Sequence, residues 1–175
     1  VAFFPVGQYE MAKLTRKDVI NRVEAGDSLE QEDLSGLDLS RTNLSKANLR
    51  WANLTGAILT GAKLIGANLI GADLSKARLI EADLWWAQLI GADLTEANLT
   101  RADLSKADLS RADLNKATLT EADLHGADMS RATLTEADLT GAKLIGADLI
   151  GADLSKTKYT QVQLEGASNV DKVIL

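Results

Sequence analysis

ANLRWANLTG (residues 47–56), ADLSKARLIE (72–81) and ADLTEANLTR (92–101) are variants of one five-residue unit. From Ala47 to Leu154 each unit has alanine two positions before a centre, usually Asp or Asn between them, and two variable residues after. Extended outward in the same frame, the centres run from Leu34 to Leu164, all leucine except Met129 and Tyr159. A run of this regularity is read as a repeat before any helix or strand is assigned.

A period of five suits neither regular element. On an α-helix five residues advance by about 500°, so successive leucines spiral around the cylinder and leave no buried stripe. On a strand an odd period sends successive leucines to opposite faces. The pattern closes if each pentad is one short side of a coil and the chain turns at every pentad, which points alanine and leucine inward. Stacked coils then share one continuous core, as in a solenoid.

The number of sides is also legible. Leu59 to Ala77 (LTGAKLIGANLIGADLSKA) returns as Leu139 to Thr157 (LTGAKLIGADLIGADLSKT), eighty residues later. Eighty is a multiple of twenty and not of fifteen, so a four-sided coil puts the copies on the same side. Steps of twenty also give Lys76, Glu96, Lys116, Glu136 and Lys156, alternating charges that attract at a cross-strand spacing of about 4.8 Å.

The A-(D/N)-L-x-x run, in frame through more than twenty pentads after about residue 28, resembles the pentapeptide-repeat proteins, most of all their leucine-centred cyanobacterial branch. The resemblance implies an all-β solenoid, a right-handed quadrilateral parallel β-helix. Right-handedness is also what the crossover rule favours. About seven coils are expected, roughly 33 Å of rod at about 4.8 Å each.

The 175 residues carry a net charge of −6 and no cysteine, which removes disulfides and thiolate chemistry. No apolar run approaches a membrane span. The cytoplasm is the favoured compartment, with the periplasm or thylakoid lumen also compatible. The chain divides into an N-terminal tail (1–13), a capping helix (14–27), the repeat β-helix (28–166) and a C-terminal tail or cap (167–175). The tail reads as an appended remnant, a processed end or a strand edge, with Met11 as a candidate start.

In the helix, Thr15 and Asp18 form a capping-box variant, Leu14 and Val19 take the staple positions, and Gly26 ends it. Its apolar face, Val19, Ile20 and Val23, is expected to cover the open end of the rod. Glu32, Leu37 and Thr42 stand where later coils have alanine, and an inward Glu32 is costly unless solvated. At the other end Thr157 and Val162 replace alanine, Tyr159 replaces leucine and Asn169 falls at a centre, so the coil is expected to stop. Val170, Val173, Ile174 and Leu175 then fold over it as a modest cap. The alternative is end-to-end pairing of two rods, and a monomer is favoured.

Function is sought on the outward positions. Stepping by twenty stacks Asp73, Asp93 and Asp113; Asp83, Asp103 and Asp123; and Asp108, Asp128 and Asp148. Like charges about 4.8 Å apart repel by roughly 0.9 kcal/mol even in bulk water. The resemblance offers a use for them, because gyrase-interacting relatives imitate the charge of DNA. Those relatives, however, have interrupting loops and phenylalanine centres that this sequence lacks. The plainer reading is that Asp and Asn bond the turn backbone.

A second candidate is apolar. Ile65 and Trp85 share one side, Ile70 and Ile90 the next, Trp86 takes the corner between them, and Trp51 takes the far edge. Flat glycines, Gly66, Gly71 and Gly91, lie among them, as suits a protein interface. Alternatively the outward aromatics pack on each other. A threonine column, Thr60, Thr100, Thr120, Thr140 and Thr160, is interrupted by Ile80 and lacks the parallel ranks of an ice-binding face.

Catalytic chemistry is nearly absent: His125 is the only histidine, and on a convex rod carboxylates have no concavity in which to surround a substrate. Of the basic residues, only Arg111 and Arg131 make a short like-charged pair. The expectation is a non-enzymatic scaffold without cofactor or metal that binds a protein partner and neither nucleic acid nor membrane. The patch is its candidate interface, a DNA-mimicking ligand of a topoisomerase or other nucleic-acid-binding protein is the alternative, and a structural module without a specific partner is the third reading.

Overall fold

A computed structural model describes residues 13–175; the expectations for Val1–Met11 lie outside the described residues. From Asp33 through Asp138, every residue just before a centre forms a parallel bridge to the residue twenty farther on. The first four are Asp33 to Asn53, Asp38 to Ile58, Asn43 to Lys63 and Asn48 to Asn68. One lap is therefore twenty residues in four short sides. We number the sides by their centres in the first laps: side 1 Leu34 and Leu54, side 2 Leu39 and Leu59, side 3 Leu44 and Leu64, side 4 Leu29, Leu49 and Leu69.

The backbone explains the pentad. Within one unit, Asn53 N–H donates to Glu32 O at 2.9 Å in the lap before, while Leu54 N–H to Asp73 O at 2.7 Å and Gly56 N–H to Ser75 O at 2.8 Å reach the lap after. Ala57 N–H closes the corner on Leu54 O at 2.9 Å. The third corner residue has positive φ at every turn from Gln31 to Lys156, for example 64° at Gly56 and 58° at Lys76, the requirement of a type II turn. One N–H per pentad, that of the residue after the centre, has no backbone partner. Burial of an unpaired N–H is costly, and where Asp or Asn stands before the centre its side chain supplies the missing acceptor, which Ile58, Lys63 and Arg78 do not.

Inside, the leucine centres from Leu29 to Leu149 and the alanines from Ala52 to Ala137 are at most 1% exposed. Met129 is equally buried, an unbranched side chain filling a leucine site.

Both ends depart from the repeat. Helix α1, Arg16–Ala25, has the Thr15/Asp18 capping box and ends at Gly26 with φ 78°. Val19 is fully buried in the core, and Leu14 and Val23 are half-buried against it. The first lap has no predecessor, so its outward carbonyls lack ladder partners. Arg16 Nη1 donates to Asp38 O at 2.7 Å and its Nη2 to Ser40 O at 2.8 Å, while Lys13 Nζ takes Ser35 O at 2.5 Å. The inward Glu32 is matched by Arg22 at 2.6 Å, which removes the cost anticipated for it. Thr42, buried where later laps have alanine, donates its hydroxyl to Leu39 O at 2.6 Å.

The C-terminal expectation needs correction. The chain does not stop coiling after residue 166: helix α2, Gln161–Glu165, replaces side 3 of the last lap and keeps Leu164 only 5% exposed. Thr160 N–H donates to Gln163 Oε1 at 2.7 Å, and Gln163 Nε2 satisfies Leu139 O at 2.6 Å and Ala142 O at 2.9 Å in the lap before. The ladder then resumes with Asp148 to Ser168 and Asp153 to Ile174. The second pair is offset by twenty-one residues, and the short 3-10 turn Val170–Lys172 lies in the added length. Of the expected cap, Val170 and Val173 do pack half-buried against the core, whereas Ile174 and Leu175 stay exposed.

Candidate interaction surface

The corner residues stand outermost because positive φ turns their side chains away from the coil. Trp51 and Trp86 occupy such corners, with φ 56° and 59°, and are 54% and 58% exposed. Trp85, just before the corner on side 3, is 38% exposed. Its indole lies parallel to that of Trp86, centroids 4.9 Å apart and planes 6° from coplanar. The pair thus packs on itself, as one of the two sequence readings had it, while remaining on the outward face.

Trp51 lies on the corner between sides 4 and 1, and its ring covers the backbone of Gly71 one lap on. A Cβ added at Gly71 would sit 2.1 Å from the ring. The glycine is the seat of the indole, which spacing alone did not reveal. The isoleucines of the patch are less prominent than expected: Ile65, Ile70 and Ile90 are half-buried. Ile145 and Ile150, the copies of Ile65 and Ile70 eighty residues on, are 60% and 38% exposed. The rod thus has two separate apolar outcrops, the earlier one aromatic.

The acidic columns form in register. Bridges join Asp73 to Asp93 to Asp113, Asp83 to Asp103 to Asp123, and Asp108 to Asp128 to Asp148. Each of these carboxylates is half-buried, and each Oδ1 accepts the N–H two residues on, as in Ser105 to Asp103 at 2.9 Å and Thr95 to Asp93 at 2.8 Å. Asparagine does the same work at Asn53 and Asn98. This is the acceptor that the pentad backbone lacks. Where Thr133 breaks the rule, Asn115 Oδ1 from the preceding lap takes Thr135 N–H at 2.9 Å, a rescue that sequence reading missed.

At the lower end of one column Lys143 pairs with Asp123 at 3.1 Å, and Lys158 pairs with Asp138 at 3.3 Å elsewhere. Burial pushes the Asp123 carboxyl up, but the His125 N–H and the Lys143 ammonium outweigh it and hold it below the usual 3.8. At Asp73 burial is likewise outweighed by the Ser75 hydroxyl and N–H and the Thr55 hydroxyl. At Asp138 the Thr140 hydroxyl leads in lowering the value.

His125 is exposed, and its backbone N–H, not its ring, contacts Asp123. Among the described residues no group of three His, Cys, Asp or Glu side chains could hold a metal ion, and no helix is long and apolar enough to cross a membrane. The convex rod is not featureless. A shallow trough of about 610 Å³ runs along side 4 and its corner, between Ile90 and Ile150 and past Arg111, Arg131 and Lys172.

Comparison with known proteins gives a consistent answer. A family model for pentapeptide repeats, in 8 copies, matches residues 28–61, 57–96, 97–135 and 132–168. The crystal structure of a pentapeptide repeat protein from the cyanobacterium Nostoc PCC 7120 is similar with a TM-score of 0.51 and 38% identity, over 57% of this chain and 82% of that one. A trypsin-treated form of QnrB1, a plasmid-mediated fluoroquinolone resistance protein, is similar with a TM-score of 0.53 over 82% of this chain and 77% of that one. At 23% identity the second likeness shows the fold alone. No curated protein matches the sequence.

Proposed function

The chain belongs to the pentapeptide-repeat family, and from that premise we propose that it is a non-enzymatic scaffold binding a protein partner through its outer sides. The reading takes the coil as right-handed, with about seven laps and α1 as its N-terminal cap. The observation that carries it is the exposure of Trp51, Trp85 and Trp86, at 54%, 38% and 58%, within two laps of one another. Tryptophan is a costly residue to leave in water and a strong anchor in interfaces. Gly66 and Gly91 bring no side chain to the corners near them, which leaves the surface beside the indoles low.

The acidic columns support a nucleic-acid mimic less well. Their Oδ1 atoms are spent on the turns, and asparagine substitutes at equivalent positions, so their regularity follows from the backbone need. Affinity capture from source-cell extract with wild-type chain and with Trp85→Ser/Trp86→Ser tests the reading. Loss of a saturable, salt-resistant partner in the double variant is expected. A partner retained by that variant but lost in high salt, or after Asp103→Asn with Asp123→Asn, would overturn it in favour of the columns.

A further inference from the structure

The trough on side 4 breaks a charge alternation that the corners after sides 1 and 2 keep. On the corner after side 1 the residues alternate Lys76, Glu96, Lys116, Glu136, Lys156, and Glu136 meets Lys156 at 3.7 Å. On the corner after side 2, Glu81 and Arg101 are ion-paired and Glu121 follows. On the corner after side 4, arginine sits on arginine. Arg111 N–H donates to Ser130 O and Arg131 N–H to Ile150 O, both at 2.9 Å, which fixes the two in consecutive laps. Gly151 follows them at the corner, and its N–H donates to Lys172 O at 3.1 Å, which places Lys172 one lap after Ile150, beside the corner, where it lines the same trough. Among the described residues none of these three cations is in an ion pair. Two unpaired arginines in file, with Lys172 on the same trough, on a chain of net charge −6 want an anion.

The surroundings fit one. Gly91 precedes the pair and Gly151 follows it, so no side chain fills the corner at either end, and the Arg131 stem lies 3.6 Å from where a Gly151 Cβ would be. Ser110 and Ser130 line the same trough. At Ser75 and Thr100 the hydroxyl after the centre is turned back onto the Asp or Asn, whereas at Ser45 and Thr95 only the N–H is used. At Ser110 and Ser130 likewise only the N–H is used, which leaves both hydroxyls to donate outward. Asp128 also lines the trough, with Oδ1 held by Ser130 N–H at 2.9 Å; its charge opposes an anion and is outnumbered by the three cations. Ile90 and Ile150 form apolar shoulders.

We propose that this trough binds a phosphate monoester, with the Arg111 and Arg131 guanidinium groups forking its oxygens, the Ser110 and Ser130 hydroxyls and Lys172 completing the donors, and Ile150 packing on the esterified group. Planar guanidinium forks suit phosphate. The apolar shoulders distinguish an ester from the free ion. This site is separate from the tryptophan pair and does not rest on the scaffold reading.

Amide chemical shifts of the full chain, titrated with inorganic phosphate and with phenyl phosphate at constant ionic strength, test it. Saturable shifts are expected at Ser110, Arg111, Ser130, Arg131, Gly151 and Lys172, with phenyl phosphate the tighter probe. Arg111→Gln/Arg131→Gln is expected to weaken binding about tenfold or more, as loss of charge-assisted forks implies. Gln31 stands at the same corner with φ 61°, so glutamine is compatible with the fold; each single variant, read the same way, gives an independent measure. Arg101→Gln is expected to bind as wild type. Absence of saturable shifts, equal shifts at every basic corner, or wild-type binding by the double variant overturns the proposal. Binding of inorganic phosphate with equal or greater affinity refutes the ester and leaves an oxyanion site only.

Discussion

Asp103 shows how much of this surface is backbone chemistry. Its Oδ1 accepts the Ser105 N–H, a donor with no main-chain partner, while its neighbours Asp83 and Asp123 in the ladder press like charge on it from both sides. The two effects are separable. Asp103→Ala removes acceptor and charge together, and is expected to cost about 1–2 kcal/mol, the net worth of a hydrogen bond to a charged group in a half-exposed setting. Asp103→Asn keeps the acceptor and relieves the repulsion, so it is expected to leave stability unchanged or slightly raised. Urea denaturation of the two variants decides it; equal destabilisation would mean that the charge itself matters. A second residue-scale prediction concerns Gly71. Gly71→Ala forces the Trp51 indole off its seat, since the new Cβ falls 2.1 Å from the ring, and a red-shifted tryptophan emission is the expected sign.

At the scale of elements, the two ends solve the same problem with different means. A parallel ladder leaves unpaired groups at its first and last laps, which invites edge-to-edge association. At the start, α1 brings Arg16 over Asp38 O and Ser40 O and Arg22 onto Glu32. At the other end α2 brings Gln163 over Leu139 O and Ala142 O. Arg16→Leu is expected to cost about 1 kcal/mol, a modest net figure for two hydrogen bonds from a half-exposed cation, and to raise concentration-dependent association seen by light scattering. Unchanged melting and scattering would show that water serves those carbonyls equally well. The N-terminal device was legible as Thr15 with Asp18. The C-terminal one has a comparable signal, Thr160 with Gln163, which the in-frame Leu164 masked: a repeat reading carried past its last regular lap hides a capping box.

For the whole molecule, each lap touches only its neighbours, so stability accumulates lap by lap. Deleting residues 112–131, one full lap, joins Arg111 to Ala132 with every side in phase. A folded rod with lower guanidinium resistance and an intact Trp85–Trp86 pair is expected from circular dichroism and melting. Failure to fold would argue for coupling between distant laps. Acid provides a second global test. Asp18, Asp33, Asp38, Asp73, Asp123, Asp138 and Asp153 all have carboxyls held below the ordinary 3.8. For each, the folded chain binds protons less readily than the unfolded one. Their stabilising contribution is therefore complete above pH 3.8 and is lost as the pH falls through the lower folded values. The melting temperature is expected to hold from pH 7 to about 5 and to drop on further acidification; a flat profile down to pH 2 would contradict the assignment of these bonds.

The sequence by itself determined the lap of twenty, the inward Ala and Leu, the columns and their register, because a period without insertions gives every position the same neighbours twenty residues away. It also pointed to the turn-bonding use of Asp and Asn. Tertiary structure alone decided what the repeat does not constrain. Outward side chains choose their rotamers freely, so the Trp85–Trp86 stack, the Trp51 seat on Gly71 and the Asn115 rescue of Thr135 had no periodic signature. The ends have a neighbour on one side only, so α2, the twenty-one-residue offset and the place of Lys172 on the trough depend on how the chain satisfies an edge, and spacing is silent about that.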